Sequence, residues 1–213
     1  MLEYNITKYD TKINRIVIMF HGYGSNKEDL INLAPEIHSY CKNIAYVSLS
    51  APCKFELAPE SKGRQWFSLL SREPEYLLEG MNKISIDIRN FIKKILERFG
   101  LNEDSLCILG FSQGAMLSLY LLLTKLISPR IVVAFSGWIF PHNWKLTKER
   151  KTSTLLLHGE EDEIICVSTV AVSMKILEDH GYKVDKNLSR ALGHGIDRES
   201  IERAGIFIRN NFR

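Results

Sequence analysis

The chain has 213 residues, 45% of them hydrophobic and 25% charged, with a net charge of +3. A chain of this size can bury roughly 70% or more of its unfolded surface, so it needs no disulfide or metal to fold. The weak, mixed charge does not announce a nucleic-acid or membrane surface, and no apolar run reaches the roughly 18 residues that mark a membrane-spanning helix.

The four cysteines, Cys41, Cys53, Cys107 and Cys166, form no CxxC pair and no zinc-ligand spacing. Scattered, partly core-placed thiols fit a reducing compartment. The N-terminal stretch "MLEYNITKYDTKINR" lacks the basic, then apolar, then small-residue order of a signal peptide. The expectation is a single cytoplasmic domain over residues 1–213.

In chain order, "RIVIMF" (15–20) is a near-continuous apolar run and predicts a strand buried on both faces. A helix is expected over 27–41, with Pro35 bending or shortening it. "IAYVSL" (44–49) predicts the next strand. Residues 50–75 hold Pro52, Pro59, Gly63 and Pro74 and show no clear period; a loop this long in a compact domain is usually functional. Residues 74–100 carry Ile84, Ile88, Phe91, Ile92 and Ile95 at helical spacing and end on Gly100, which suits the residue past a helix C-terminus. "LCILG" (106–110) is a strand and 113–125 a helix apolar nearly all round. "IVVAFS" (131–136) and "TLLLHG" (154–159) are strands, followed by a helix over 167–182 ending at Gly181. "YKVDKNL" (182–188) alternates more and suits a strand nearer the sheet edge, and 197–212 is a closing helix. Strands alternating with helices imply βαβ units and an open, mostly parallel α/β sheet with helices on both faces.

Between the strand at 106–110 and the helix from 113 stands "GFSQG", a strand-to-helix turn of the form G-x-S-x-G. Such a turn holds its Ser in strained backbone geometry at the sheet's C-terminal edge with the hydroxyl exposed. Ser112 also lies at a helix N-terminus, where free N–H groups favour developing negative charge. By composition alone the three-residue match occurs in roughly one chain in fifteen, so the flanking strand and helix carry much of the argument. The bland reading is an N-cap serine.

A serine hydroxyl needs a base, and the base an orienting acid; on this architecture they follow in the order Ser, acid, His. Asp162 lies in "EEDEII" after the strand at 154–159, and His194 in "SRALGHGIDRES" before the last helix. Glu160 and Glu161 are rival acids nearer the strand end. Asp197 reads as the N-cap of the final helix. His158 reads as structural, His180 as a residue of a helix's last turn, and His38 and His142 have no evident partner. The oxyanion donors expected are the amide of Gln113, after the nucleophile, and that of Tyr23 in the glycine-rich turn "HGYGSN". That turn lacks the G-K-[ST] ending of a phosphate loop.

"HGYGSN", "RQWFSL", "GFSQGAMLSLY", "SGW", "LLLHGEEDEII" and "LGHGI" together resemble the small carboxylesterase and acyl-protein thioesterase (phospholipase/carboxylesterase) family of α/β hydrolases, in order and over nearly the whole chain. The resemblance implies an α/β-hydrolase fold without a large cap domain, Ser112 as nucleophile, Asp162 as acid, His194 as base, and Tyr23 and Gln113 as oxyanion donors. It places Trp66 and Phe67 in the loop bordering the acyl pocket. The acid loop departs from the family's commoner run in having no Pro.

The expected function is hydrolysis of carboxylic esters or thioesters with medium or long acyl chains, contacted by Trp66, Phe67, Leu70 and Trp138. No metal or organic cofactor is implied, since no HExxH or clustered ligand spacing occurs. The expected partner is an ester or thioester of a small molecule, lipid or acylated protein, with no nucleic acid and no integral membrane association; a homodimer is left open. The rivals are a lysophospholipase, a short-chain carboxylesterase and a non-catalytic binding protein on the same fold.

Overall fold

The computed structural model describes residues 2–144 and 152–212. Seven strands form one sheet: β1 (Tyr4–Lys8), β2 (Arg15–Phe20), β3 (Ile44–Leu49), β6 (Leu106–Phe111), β7 (Ile131–Phe135), β8 (Ser153–Gly159) and β9 (Lys183–Ser189). Their spatial order is β1-β3-β2-β6-β7-β8-β9, and the short β4 (Cys53–Lys54) and β5 (Arg64–Gln65) pair apart from them. Every neighbouring pair in the large sheet is parallel except β1 with β3, which run antiparallel from Tyr4↔Leu49 to Lys8↔Ala45. The fold is that of an α/β hydrolase.

The central strands are buried on both faces, which explains their continuous apolar sequences. Alternate residues go to opposite sides. Ile16, Ile18, Phe20 and Ile108 meet α3 (Pro74–Phe99) and α4 (Gln113–Leu123), while Val17, Met19, Leu109 and Val133 meet α2 (Ala34–Tyr40) and α6 (Arg198–Asn211). Helix α5 (Ser168–Asp179) covers the β8 end of the first face through Val170 and Leu177.

Three local outcomes differ from the sequence expectation or sharpen it. The helix expected over 27–41 is two: α1 (Lys27–Ile31), capped by the Asn26 side chain, and α2, with Pro35 in its first turn. Proline lacks an amide but fits a helix start, so Pro35 begins a second helix. Strand β1 was not foreseen, because its half-buried "YNITK" has no continuous apolar run. Helix α3 runs 26 residues and closes on Gly100 at φ 65°, the left-handed position glycine adopts freely.

Candidate active site

Strand β6 and helix α4 present Ser112 at their junction with φ 50° and ψ −114°. A non-glycine residue there is strained and persists only where the surroundings fix it. Two close approaches do so. A Cβ on Gly110 would stand 2.4 Å from the Gly114 carbonyl oxygen, and one on Gly114 would stand 2.0 Å from that of Phe20. The glycines let α4 lie against β2 and β6, and the Ser112 N–H donates to the Phe135 carbonyl at 2.9 Å.

His194 sits in the loop after β9, Asp162 in the loop after β8. The two loops are joined by backbone hydrogen bonds, Glu160 N–H to Ser189 O at 2.9 Å and Glu161 N–H to Leu192 O at 3.0 Å. The result is a continuous relay. His194 Nε2 is 2.9 Å from Ser112 Oγ, and Nδ1 is 2.8 Å from Asp162 Oδ2. Asp162 is buried, and its Oδ1 accepts the N–H groups of Ile164 and Ile165 at 2.9 and 2.8 Å. Burial pushes its pKa up, but the Ile165 amide, the His194 imidazole and the Ile164 amide outweigh that and hold it below the usual carboxylate value. An ionised carboxylate only accepts, so the hydrogen shared with Asp162 is carried on His194 Nδ1, and Nε2 faces the Ser112 hydroxyl.

The rival acids are placed elsewhere. Glu160 and Glu161 are exposed, and Asp197 caps α6, accepting the Ser200 N–H at 2.7 Å. His158, expected as structural, is buried in β8. Its Nε2–H donates to the Ile165 carbonyl at 2.7 Å and lies 3.2 Å from Asp162 Oδ2, so it also holds the acid loop. His180 Nδ1 donates to the Ile176 carbonyl at the end of α5. His38, expected to lack a partner, has Asp10 Oδ2 3.4 Å from its Nε2.

Beside the relay opens a cavity of about 580 Å³ lined by Ser112, His194, Tyr23 and Gln113, with apolar walls that include Leu69, Met116, Trp138 and Ile164. Trp138 therefore lies where a substrate contact was expected. Trp66, Phe67 and Leu70 do not line this cavity. Trp66 is 1% exposed, meets the Phe20 ring edge-on at 5.2 Å, and donates its indole N–H to the His21 carbonyl. Phe67 packs so tightly on α3 that a Cβ on Gly80 would stand 2.6 Å from its own Cβ. Leu70 is 71% exposed. The loop turns its two aromatic rings under the site because the core is the drier destination; Leu69 and Arg72 take the wall positions instead.

Sequence reasoning missed the reason Trp66 and Phe67 matter. The buried Gln113 side chain accepts the Trp66 N–H at 2.9 Å and donates to the Phe67 carbonyl at 2.7 Å, so the residue after Ser112 clamps the 50–75 loop. It also missed Glu56, whose Oε1 accepts the Tyr23 hydroxyl and the Leu69 N–H. Their only signal was the length of the aperiodic loop. Among the described residues no group of three or more His, Cys, Asp or Glu side chains is gathered for a metal, and no helix is long and apolar enough to cross a membrane.

The phospholipase/carboxylesterase family model matches residues 3–212. The chain belongs to that family. Relatives of this phospholipase/carboxylesterase include the esterase YpfH of Escherichia coli (strain K12), 24% identical over 193 residues, 91% of this chain and 81% of the relative. Another is acyl-protein thioesterase 1 homolog 1 of Dictyostelium discoideum, 30% identical over 220 residues, 95% and 93% of the two chains. Among solved structures, esterase PE8 superposes with a TM-score of 0.87 at 27% identity, covering 98% of each chain. Zea mays acyl-protein thioesterase 2, at 0.81 and 19%, covers 99% of each and shares the fold. The protein is thus a hydrolase of the carboxylesterase/thioesterase class.

Proposed function

We propose that the protein cleaves carboxylic esters or thioesters through an acyl-enzyme on Ser112, and that medium or long acyl chains occupy the apolar cavity. The carrying observation is the Asp162–His194–Ser112 relay opening onto that cavity. His194 Nε2 takes the Ser112 proton as Oγ attacks the carbonyl carbon. The oxyanion of the tetrahedral intermediate is met by the amides of Tyr23 and Gln113. Gln113 opens α4, so its N–H has no intrahelical acceptor. The carbonyl re-forms, the C–O or C–S bond breaks, and His194 returns the proton to the departing alcohol or thiol. Water then repeats the cycle and frees the acid. Asp162 holds the ring in the Nδ1–H form and stabilises the imidazolium.

A second reading, lysophospholipase, is favoured by Arg72, the one formal charge among the described residues lining the cavity; an anionic headgroup would suit it. One screen tests both, comparing p-nitrophenyl esters of increasing acyl length, acyl thioesters and lysophospholipids. Each methylene that becomes fully buried should raise kcat/KM by about fourfold, from about 0.8 kcal/mol per CH₂. A fluorophosphonate probe should label the wild type and spare Ser112→Ala. Turnover retained by Ser112→Ala would end the proposal.

A further inference from the structure

Tyr23 and Ser112 line one cavity but are held by different parts of the chain. Ser112 belongs to the β6–α4 junction. The turn carrying Tyr23 leans on the 52–69 loop, where Cys53↔Gln65 and Lys54↔Arg64 pair as two short strands. The Gly24 N–H donates to the Arg64 carbonyl at 2.9 Å and the Arg64 N–H to the Ser25 carbonyl at 2.7 Å, so the turn is stitched to β5. Gly63 approaches so closely that a Cβ there would stand 2.5 Å from the Gly24 oxygen.

Glu56 is the polar centre of this assembly. Its Oε1 accepts the Tyr23 hydroxyl and the Leu69 N–H, and its own N–H donates to Gln65 Oε1 at 2.7 Å. The Tyr23 ring is further fixed edge-on against Phe55, centroids 4.8 Å apart. Burial pushes the Glu56 carboxyl up, but hydrogen bonds from Ser68, Tyr23, Gln65 and Leu69 bring it below its ordinary value, so it is an acceptor-only anion at neutral pH. A hydroxyl bonded to an ionised carboxylate is held about twice as strongly as one in a neutral pair.

We propose that Glu56 is a positioning residue for the oxyanion site: by holding the Tyr23 hydroxyl it fixes the turn bearing the Tyr23 amide and couples it to the Leu69 wall of the acyl cavity. The inference rests on the reading of Tyr23 as an oxyanion donor. Glu56 touches no reacting atom. Its effect runs through the placement of one amide, which matters more to the tetrahedral intermediate than to the bound substrate.

The test uses Tyr23→Phe, which keeps the amide and deletes the hydroxyl, with Glu56→Leu, the double variant, and Glu56→Gln, whose side-chain oxygen still accepts. The substrate is p-nitrophenyl hexanoate; the probes are a hexyl trifluoromethyl ketone, which forms a tetrahedral adduct, and hexanoate, which does not. Tyr23→Phe and Glu56→Leu should each lower kcat by about 10- to 100-fold with KM within about threefold, less than the full loss of an oxyanion donor. Ketone affinity should fall by the same factor while hexanoate affinity holds. The double variant should match the worse single one, and Glu56→Gln should recover most of the loss. Unchanged ketone affinity in Tyr23→Phe, or multiplicative losses in the double variant, would overturn the proposal. If Glu56→Leu does not fold, Tyr23→Phe decides alone. Turnover surviving in Ser112→Ala would instead sink the parent reading, so the two failures are separable.

Discussion

His21 makes the stability of the glycine-rich turn after β2 depend on pH in a calculable way. Its ring is wholly buried, with Nδ1–H donating to the Gly22 carbonyl at 2.7 Å and Nε2 accepting the Ala51 N–H at 3.0 Å. A proton on Nε2 would face a donor. Burial pushes the pKa down to about 4 from the ordinary 6.5, against a smaller opposing pull from the Gly22 hydrogen bond. The unfolded chain therefore takes up this proton first as pH falls. His21's contribution is intact above about pH 7, declines below 6.5, and is gone once pH passes below 4. The gap of about 2.5 pH units corresponds to about 3 kcal/mol in full, of which about 2 kcal/mol is lost between pH 7 and pH 5. Asp162, Glu56 and Asp197 titrate below the usual carboxylate values, so their contributions are lost only at lower pH. His38, also pushed down by burial, loses stability in the same direction, so the comparison must be with a variant. Urea unfolding of wild type and His21→Gln at pH 7 and pH 5 measures the difference. The wild type should lose about 2 kcal/mol more than the variant over that interval. Equal losses would refute the assignment of a neutral, two-sided His21.

Three further outcomes follow from the site. Asp162→Asn should lower kcat by about 10⁴-fold, as the same change does in a serine-protease triad, while Glu160→Gln and Glu161→Gln stay within about threefold; the reverse pattern would move the acid. His194 Nε2 faces Ser112 Oγ at 2.9 Å, so His194→Ala should lower kcat by about 10⁴-fold or more, and turnover within about threefold of wild type would count against His194 as base. Gly114→Ala places a methyl 2.0 Å from the Phe20 oxygen and should cost about 3 kcal/mol or more, whereas Gly193→Ala, whose nearest neighbour is 3.8 Å away, should be near neutral; thermal unfolding of the two checks the contrast.

Much of this molecule was legible because burial on both faces writes a strand as an apolar run. Strands β2, β3, β6, β7 and β8 all carry that mark. The G-x-S-x-G turn was legible for a steric reason, since no other residue fits where β6 and α4 nearly touch. Strand β1 was not, because an edge strand needs no such run. Trp66 and Phe67 show another gap. An apolar residue in an aperiodic loop can go to a pocket wall or to the core beneath it, and periodicity does not choose. Glu56 and the Gln113 side chain act through partners up to 47 positions away, a distance over which local sequence carries no signal. Asp162 stood beside two other acids; what sets it apart is that the Ile164 and Ile165 amides turn back onto it.

The paired strands β4 and β5 enclose the tip from Phe55 to Gly63, where Leu57, Pro59 and Glu60 are exposed. A protease cutting that tip would leave the seven-stranded sheet uncut and still present a serine to water. It would sever the only covalent link between Glu56 and the β5 backbone that braces the Tyr23 turn. On the proposed role of Glu56, such a nicked chain would be silenced without being melted, with Ser112 in place and the carboxylate adrift from its brace.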